Sequence, residues 1–300
     1  MRRNEDGRLV TAGFALSVAH VDAIERKPLY HVRPGSRLLS LAAPGCTFRC
    51  DYCINYRLSQ YGRLPAIGWT GQPPDVDALV DRARSEDLGI AFSYTEPALA
   101  IEFTLAVAGP VRAAGHLVVW KTNGFLTARA IDAVSPTLDA VNIDIKAADE
   151  TAHLGLTGAS LGPVLDAVER FRANGVWVEV STPLIPEVAD TPAAWRRIAE
   201  RIAAVDRDVP WHLLRFTPQF RMARYPPTSP DHLRRARDAG HEAGLNYVYV
   251  ERALGAPGRQ TRCPRCDSVL VEREVWRTAS LIVQDGACPS CGLAIAGLWS

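Results

Sequence analysis

Three of the chain's seven cysteines, Cys46, Cys50 and Cys53, crowd into APGCTFRCDYCINY at the spacing C-x3-C-x2-C. The other four, Cys263, Cys266, Cys288 and Cys291, form C-x2-C-x21-C-x2-C far downstream. Thiolates are soft ligands that select iron-sulfur clusters, zinc or copper(I). A cubane 4Fe-4S cluster held by three cysteines keeps one iron open to an outside ligand. Four cysteines in paired knuckles close a tetrahedral shell and leave no such position. Seven thiols grouped as three and four fit metal binding in a reducing compartment better than a disulfide framework. Two blander readings of the first group are three buried structural cysteines and a zinc site completed by histidine. No histidine falls within the sixty residues after Cys53, so such a ligand would be distant.

The elements that must position these thiols are legible as short apolar runs, rich in β-branched residues, alternating with segments of helical period. That is the pattern of repeated βα units on a parallel sheet. Candidate strands cover 37–43, 89–94, 116–122, 140–146, 176–185 and 211–217, and a last run at 246–250 adds an edge. Between them PALAIEFTLAVAGPVRAAG, GPVLDAVERFRANG and DHLRRARDAGHEAGL read as crossover helices, the last two closed by glycine. Right-handed crossovers on such a sheet give either an open doubly wound sheet or a curved, incomplete barrel. In both, chemistry sits at the carboxyl ends of the strands.

Cys46 follows the first strand directly, after Pro44 and Gly45, so the three thiols belong at such an end. The later strands end in polar groups of their own. The second gives Thr95 and Glu96 in SYTEP, the third Thr122 and Asn123 in KTNG, and the fourth Asn142, Asp144 and Lys146 in NIDIK. Each has an ordinary alternative: Glu96 ahead of Pro97 is a helix cap, KTNG is a turn, and Asp144 with Lys146 is an ion pair. The fifth strand leads into TPLIPEVADT, where Asp190 or Thr191 caps the next helix. The sixth carries His212, Arg215 and Thr217, read as sharing one face, with Arg215 suited to an anionic substrate.

Composition bounds the rest. Three hundred residues, 47% hydrophobic and of net charge +1, describe a globular chain with no long-range pull on nucleic acid or anionic membranes. No apolar run is long enough to span a membrane and MRRNEDGRLV lacks the core of a signal peptide, so the expected location is the cytoplasm. After Val250 the glycine- and proline-rich ERALGAPGRQTR reads as a linker. The expected organisation is an N-terminal extension (1–36) packed on the barrel, a core (37–254), and a four-cysteine module (255–300). In that module arginines alternate with acidic residues, which is no basic stripe for nucleic acid. It reads as zinc-ribbon-like, with zinc the first choice and iron an alternative, serving as a docking element or a lid.

The three-cysteine pattern with an aromatic before its last cysteine resembles the radical S-adenosylmethionine (radical SAM) superfamily. The order DAIERKPLYHVRPGSRLLSLAAPGCTFRCDYC, YTEP, NGF, NIDIK, GVWVEVSTPLIP, PWHLLRF, AGLNYVYV and CPRC…CPSCGLAIAGLW is similar to the AmmeMemoRadiSam-system radical SAM enzymes, relatives of pyruvate formate-lyase activating enzyme. The resemblance covers nearly the whole chain. It implies a partial (β/α)6 TIM-like barrel whose open iron chelates S-adenosylmethionine, which one electron then splits to give a 5′-deoxyadenosyl radical. It also implies hydrogen abstraction from a substrate, protein glycine or small molecule, and an electron donor such as flavodoxin or ferredoxin. Under it, Thr95, Glu96, Thr122, Asn123, Asp144 and Lys146 bind the cofactor, and Asp144, Lys146, His212 and Arg215 are the catalytic candidates. Asp144 and Lys146 match the aspartate-x-lysine motif of glycyl-radical activating enzymes. The chain departs from the family at Ile54 and Tyr56, on either side of Asn55, at Glu187 and Ala189, and at Thr217, which points to a substrate of its own. A different class of reading is a binding or redox-sensing protein whose cluster and zinc are not catalytic.

Overall fold

A computed structural model describes residues 2–11, 16–63, 74–188 and 190–300. Its centre is an eight-stranded sheet: β3 (Val18–Ala23), β4 (Arg37–Ala42), β5 (Gly89–Phe92), β6 (Val118–Thr122), β7 (Ala140–Asp144), β8 (Trp177–Leu184), β9 (Trp211–Arg215) and β10 (Val248–Val250), preceded by a hairpin of β1 (Arg2–Glu5) and β2 (Arg8–Thr11). From β4 to β10 every neighbour pair is parallel and spatial order follows chain order. An order that never reverses has no switch point, which separates this sheet from the doubly wound alternative and leaves the incomplete barrel. The two edges, β3 and β10, do not pair with each other, so the barrel stays open.

All seven expected strands form. The sheet also takes in β3, which the sequence reading placed in an extension merely packed on the barrel. This strand runs antiparallel to β4 in register Val18↔Ala42 to Ala23↔Arg37. Its sequence alternates, with Ala19, Val21 and Ala23 on one face, but the buried residue is the polar Asp22, held by Lys27, while Ala19 is exposed, so the pattern does not mark a core strand.

Helices α1 (Tyr56–Ser59), α2 (Val76–Ser85), α3 (Ile101–Ala113), α4 (Ala128–Val134), α5 (Glu150–Thr157), α6 (Gly162–Ala173), α7 (Pro192–Val205) and α8 (Pro230–Glu242) supply the connections. Asp75, Thr127, Asp149, Thr191 and Ser229 each cap a helix by accepting a backbone N–H, a contribution of about 1 kcal/mol apiece. Thr191 is the cap of α7, one of the two residues expected for it. The apolar faces of α6 (Val164, Ala167, Val168, Phe171) and α7 (Trp195, Ile198, Ala199, Ile202) pack on strands buried on both faces. All eight residues of β8 are buried, as a parallel strand under helices requires.

The tail folds as β11 (Thr261–Arg262), β12 (Val269–Arg273) and β13 (Thr278–Leu281), an antiparallel three-stranded sheet. It packs Leu270, Val271, Cys263, Cys288 and Ile295 against Tyr247 and Tyr249 at the β10 edge and against Tyr30. On its other side Thr278 Oγ1 donates to Glu25 Oε1, Arg273 donates to the Tyr30 carbonyl, and Val32 bridges Leu298. The tail thus reaches from the β10 edge to the segment that follows β3, across the barrel's open side.

Candidate active site

At the carboxyl ends of the strands lies a cavity of about 420 Å³. Cys46, Cys50 and Cys53 line it from the loop after β4, and Thr95 and Glu96 from the loop after β5. Lys121, Thr122 and Asn123 end β6, and Asp144 and Lys146 end β7. Arg215 and Thr217 stand at its rim after β9. Ten of the eleven residues expected as cluster ligands, cofactor-binding groups or catalytic candidates therefore meet here, His212 being the exception.

The loops are tied to one another by their own polar groups. Thr95 Oγ1 donates to the Ala43 carbonyl at 2.5 Å, and Asn55 Nδ2 donates to the Tyr94 carbonyl at 3.1 Å. Asn123 Nδ2 donates to Thr47 Oγ1 and, at 3.5 Å, to Cys46 Sγ, while its Oδ1 accepts from Phe125 N. Gly124, at φ +73, makes this turn possible: a Cβ there would stand 2.8 Å from Ile143 Cγ2. Glu96 is both a cap and a cavity residue. Its Oε1 accepts from Ala98 N and Thr122 Oγ1, and its Oε2 from Asn123 N. Burial raises its pKa to about 7 against these donors. Three of its acceptor sites are thus spent on the protein, which makes Glu96 the clasp of the β5 and β6 loops rather than a free carboxylate.

Asp144 is flanked by two ammoniums. Lys121 Nζ stands 2.5 Å from its Oδ1 and Lys146 Nζ 3.0 Å from its Oδ2, all three side chains being less than a fifth exposed. Burial alone would raise the Asp144 pKa, but the two cations bring it below the ordinary carboxylate range. Burial lowers Lys121, whereas for Lys146 the charges of Asp144, Tyr52 and Cys50 outweigh burial and hold it well above the usual value. Lys121 also donates to Asn142 Oδ1. The sequence reading passed over Lys121, although a lysine in the apolar run VVWK was signal enough. It also passed over Arg26, Glu251, Arg252 and Trp276, which line the cavity from the N-terminal segment, the linker and the tail. No local pattern announces these.

His212 is elsewhere. Residues three apart on a strand point to opposite faces, so His212 and Arg215 do not share one as expected. His212 Nε2 lies 2.5 Å from Glu179 Oε2 on the barrel floor, where Glu179 also accepts from Tyr30 N, His31 N and Trp177 Nε1. Burial lowers the His212 pKa, so the ring tends to neutrality in a packed, hydrogen-bonded role. Arg215 is exposed at the rim, its Nε donating to the Thr228 carbonyl. Of the departures from the family pattern, Ile54 is 66% exposed over the cavity. Tyr56 stacks on Phe220 at 4.5 Å. Glu187 has φ +66 in the turn after β8, and Ala189 lies outside the described residues.

The two cysteine groups differ in geometry. In the tail all four Sγ atoms lie within 4.8 Å of one another, with Cys263–Cys291 at 3.5 Å and Cys266–Cys288 at 3.7 Å. A tetrahedral ion with 2.3 Å metal–sulfur bonds needs about 3.8 Å between sulfurs, so these residues fit a single ion. Among the described residues no other such group exists. Cys46, Cys50 and Cys53 line the cavity together instead. Burial raises Cys46 to about 12 and Cys50 to about 11, so these thiols stay protonated at neutral pH until a metal binds and displaces their protons. Backbone N–H of Phe48 donates to Cys46 Sγ, and Ser59 Oγ sits 3.2 Å from Cys53 Sγ.

The Radical SAM superfamily model matches residues 41–202, from the end of β4 into α7. The chain belongs to the radical SAM superfamily. An uncharacterized protein of Methanocaldococcus jannaschii is 33% identical over 298 residues, covering 97% of this chain and 87% of that protein. Pyruvate formate-lyase-activating enzyme of Listeria monocytogenes is 26% identical over 182 residues, 56% of this chain and 70% of that enzyme. The crystal structure of Streptococcus suis SuiB bound to S-adenosylmethionine shares the fold, with a TM-score of 0.55 at 10% identity over 77% of this chain and 53% of that one. Membership makes this radical SAM protein an S-adenosylmethionine-cleaving enzyme and implies a 4Fe-4S cluster, the cofactor and a reductant. Among the described residues no helix is long and apolar enough to cross a membrane.

Proposed function

We propose that Cys46, Cys50 and Cys53 hold the 4Fe-4S cluster, that the groups around Glu96, Asp144 and Lys146 receive S-adenosylmethionine, and that the substrate is a small molecule. When bound, cluster and cofactor supply a 5′-deoxyadenosyl radical that takes a hydrogen atom from the substrate. The chain's own residues do the positioning. Asn123 and Phe48 N–H orient Cys46 Sγ, Glu96 fixes two strand ends against each other, and the Lys121–Asp144–Lys146 group presents charge to a zwitterion without exposing it to water. Thr95 and Thr122 serve by locking the loops. Zinc at the four tail thiolates, and a donor such as flavodoxin or ferredoxin, complete the reading, and the order of sequence motifs favours the AmmeMemoRadiSam group.

The observation that carries the small-molecule reading is the wall made by Glu251, Arg252 and Trp276. The tail spans the side by which a peptide loop would enter an open barrel. A cavity of about 420 Å³ is in the range of metabolite sites. A binding or redox-sensing protein has no use for a polar group at the end of each strand. The test is anaerobic reconstitution followed by S-adenosylmethionine and dithionite, with 5′-deoxyadenosine as readout. Alanine at any of Cys46, Cys50 or Cys53 should abolish it; a fully loaded cluster that yields none refutes the reading. Deuterium carried into 5′-deoxyadenosine from labelled metabolite extract, and not from labelled protein, separates the two substrate classes.

A further inference from the structure

The cavity lining carries more cations than carboxylates. The lining holds five cationic side chains, Arg26, Lys121, Lys146, Arg215 and Arg252, against three carboxylates, Glu96, Asp144 and Glu251, an excess of two. Inside, Lys121 and Lys146 share Asp144. At the rim Arg26 pairs with Asp22 at 3.0 Å, and Glu251 accepts from Trp276 Nε1 at 2.5 Å. Arg215 and Arg252 have no carboxylate within ion-pair distance among the described residues.

The rim is built rather than incidental. The guanidiniums of Arg26 and Arg252 lie over the Trp276 ring at 4.6 and 4.7 Å. They come from the N-terminal segment and the linker, and the ring comes from the turn between β12 and β13. A guanidinium laid on an indole keeps its N–H edge free for a carboxylate or phosphate. The same cavity also has an apolar lining in Ile54, Pro183, Leu214 and Phe216. Ile54, two-thirds exposed, adds an apolar surface to this lining.

We infer that the substrate is a small anion with an apolar body, its carboxylate or phosphate held by Arg252 and Arg215 beside Trp276 and its body laid against Ile54, Leu214 and Phe216. This rests on the radical SAM reading of the same cavity and adds the substrate's chemistry to it. Trp276 and Arg252 are specificity residues, supplied by segments outside the barrel strands.

The test is calorimetric titration of the full chain, loaded with metal at both cysteine groups, kept anaerobic and without reductant, in the presence and absence of S-adenosylmethionine. The probes are benzoate, phenyl phosphate and neutral benzyl alcohol. One or both anions should bind at least about tenfold more tightly than benzyl alcohol, about 1.4 kcal/mol, and which of them does so assigns carboxylate or phosphate. Arg252→Gln, Arg215→Gln and Trp276→Ala should each lose about tenfold in anion affinity. Arg234→Gln, paired with Asp231 on α8, should bind as the parent does. Equal binding of anions and alcohol, or undiminished anion binding by Arg252→Gln, overturns the inference. 5′-Deoxyadenosine formation by the parent is measured alongside. Intact cleavage without anion preference removes this inference alone, whereas anion preference without cleavage removes the substrate role together with the functional reading.

Discussion

Replacing Asp144 by Asn tests the electrostatic account of the cavity most directly. The carboxylate stands 2.5 Å from one buried ammonium and 3.0 Å from another. At an effective dielectric near 20, each pair is worth roughly 6 kcal/mol of gross attraction, most of it offset by removing the ions from water. Deleting the shared anion leaves two uncompensated ammoniums, a loss of about 3–5 kcal/mol. Lys121, whose burial already lowers its pKa, gives way first by losing its proton. Asp144→Asn should therefore lose about 3–5 kcal/mol in urea unfolding at neutral pH, and the double variant with Lys121→Met should regain at least about 2 kcal/mol of it. Raising the pH should also narrow the gap between Asp144→Asn and the parent. In the variant, folded Lys121 has a depressed pKa and the unfolded chain binds more protons, so stability rises as pH climbs from the folded toward the unfolded value. A single variant within about 1 kcal/mol of the parent, or a double variant no better than the single, refutes the arrangement of charges.

Other outcomes follow from particular contacts. Gly89→Ala should cost about 1–3 kcal/mol in the same unfolding assay, because its Cβ would stand 2.6 Å from Leu38 Cδ2 and 2.9 Å from the Leu117 carbonyl. His212→Phe should lower stability by about 1–3 kcal/mol, because buried Glu179 loses one of its four hydrogen-bond partners. It should keep 5′-deoxyadenosine formation per folded molecule, and abolition of cleavage in folded variant would return His212 to the active site. Stripping metal from the tail with a chelator should lower the melting temperature and make four thiols reactive to a disulfide reagent, a result absent if Cys263, Cys266, Cys288 and Cys291 need no ion to hold their 4.8 Å cluster.

What the sequence made legible was whatever is local. Strands buried under helices announce themselves as unbroken apolar runs, and the three thiols, Glu96, Asp144 and Lys146 carry short signatures at strand ends. The strand β3 escaped because its one buried side chain is a carboxylate, Asp22, satisfied by Lys27 and Tyr94, which the sequence pattern alone reads as a solvent-facing group. Lys121 stands out as a lysine in an apolar run, but its pairing with Asp144 on the next strand is visible only with the register Lys121↔Asn142. His212 was misplaced by a parity error: three residues along a strand is the other face. The rim residues Arg26, Arg252 and Trp276 meet through the docking of the tail, and nothing in any one segment encodes that meeting.

The bridge between Val32 and Leu298, and the hydrogen bond from the His31 ring to the Ala296 carbonyl across a separation of 265 residues, set a timetable on biosynthesis. The cluster cysteines leave the ribosome early, while Trp276 and the floor contacts of the tail arrive last. Contacts of such span close slowly, after the local βα units have formed. Any nascent or truncated chain therefore holds its three thiols in a barrel still open along one side. The cavity therefore gains its Trp276 wall, and the cation-π contacts of Arg26 and Arg252 with it, only when the last strands dock.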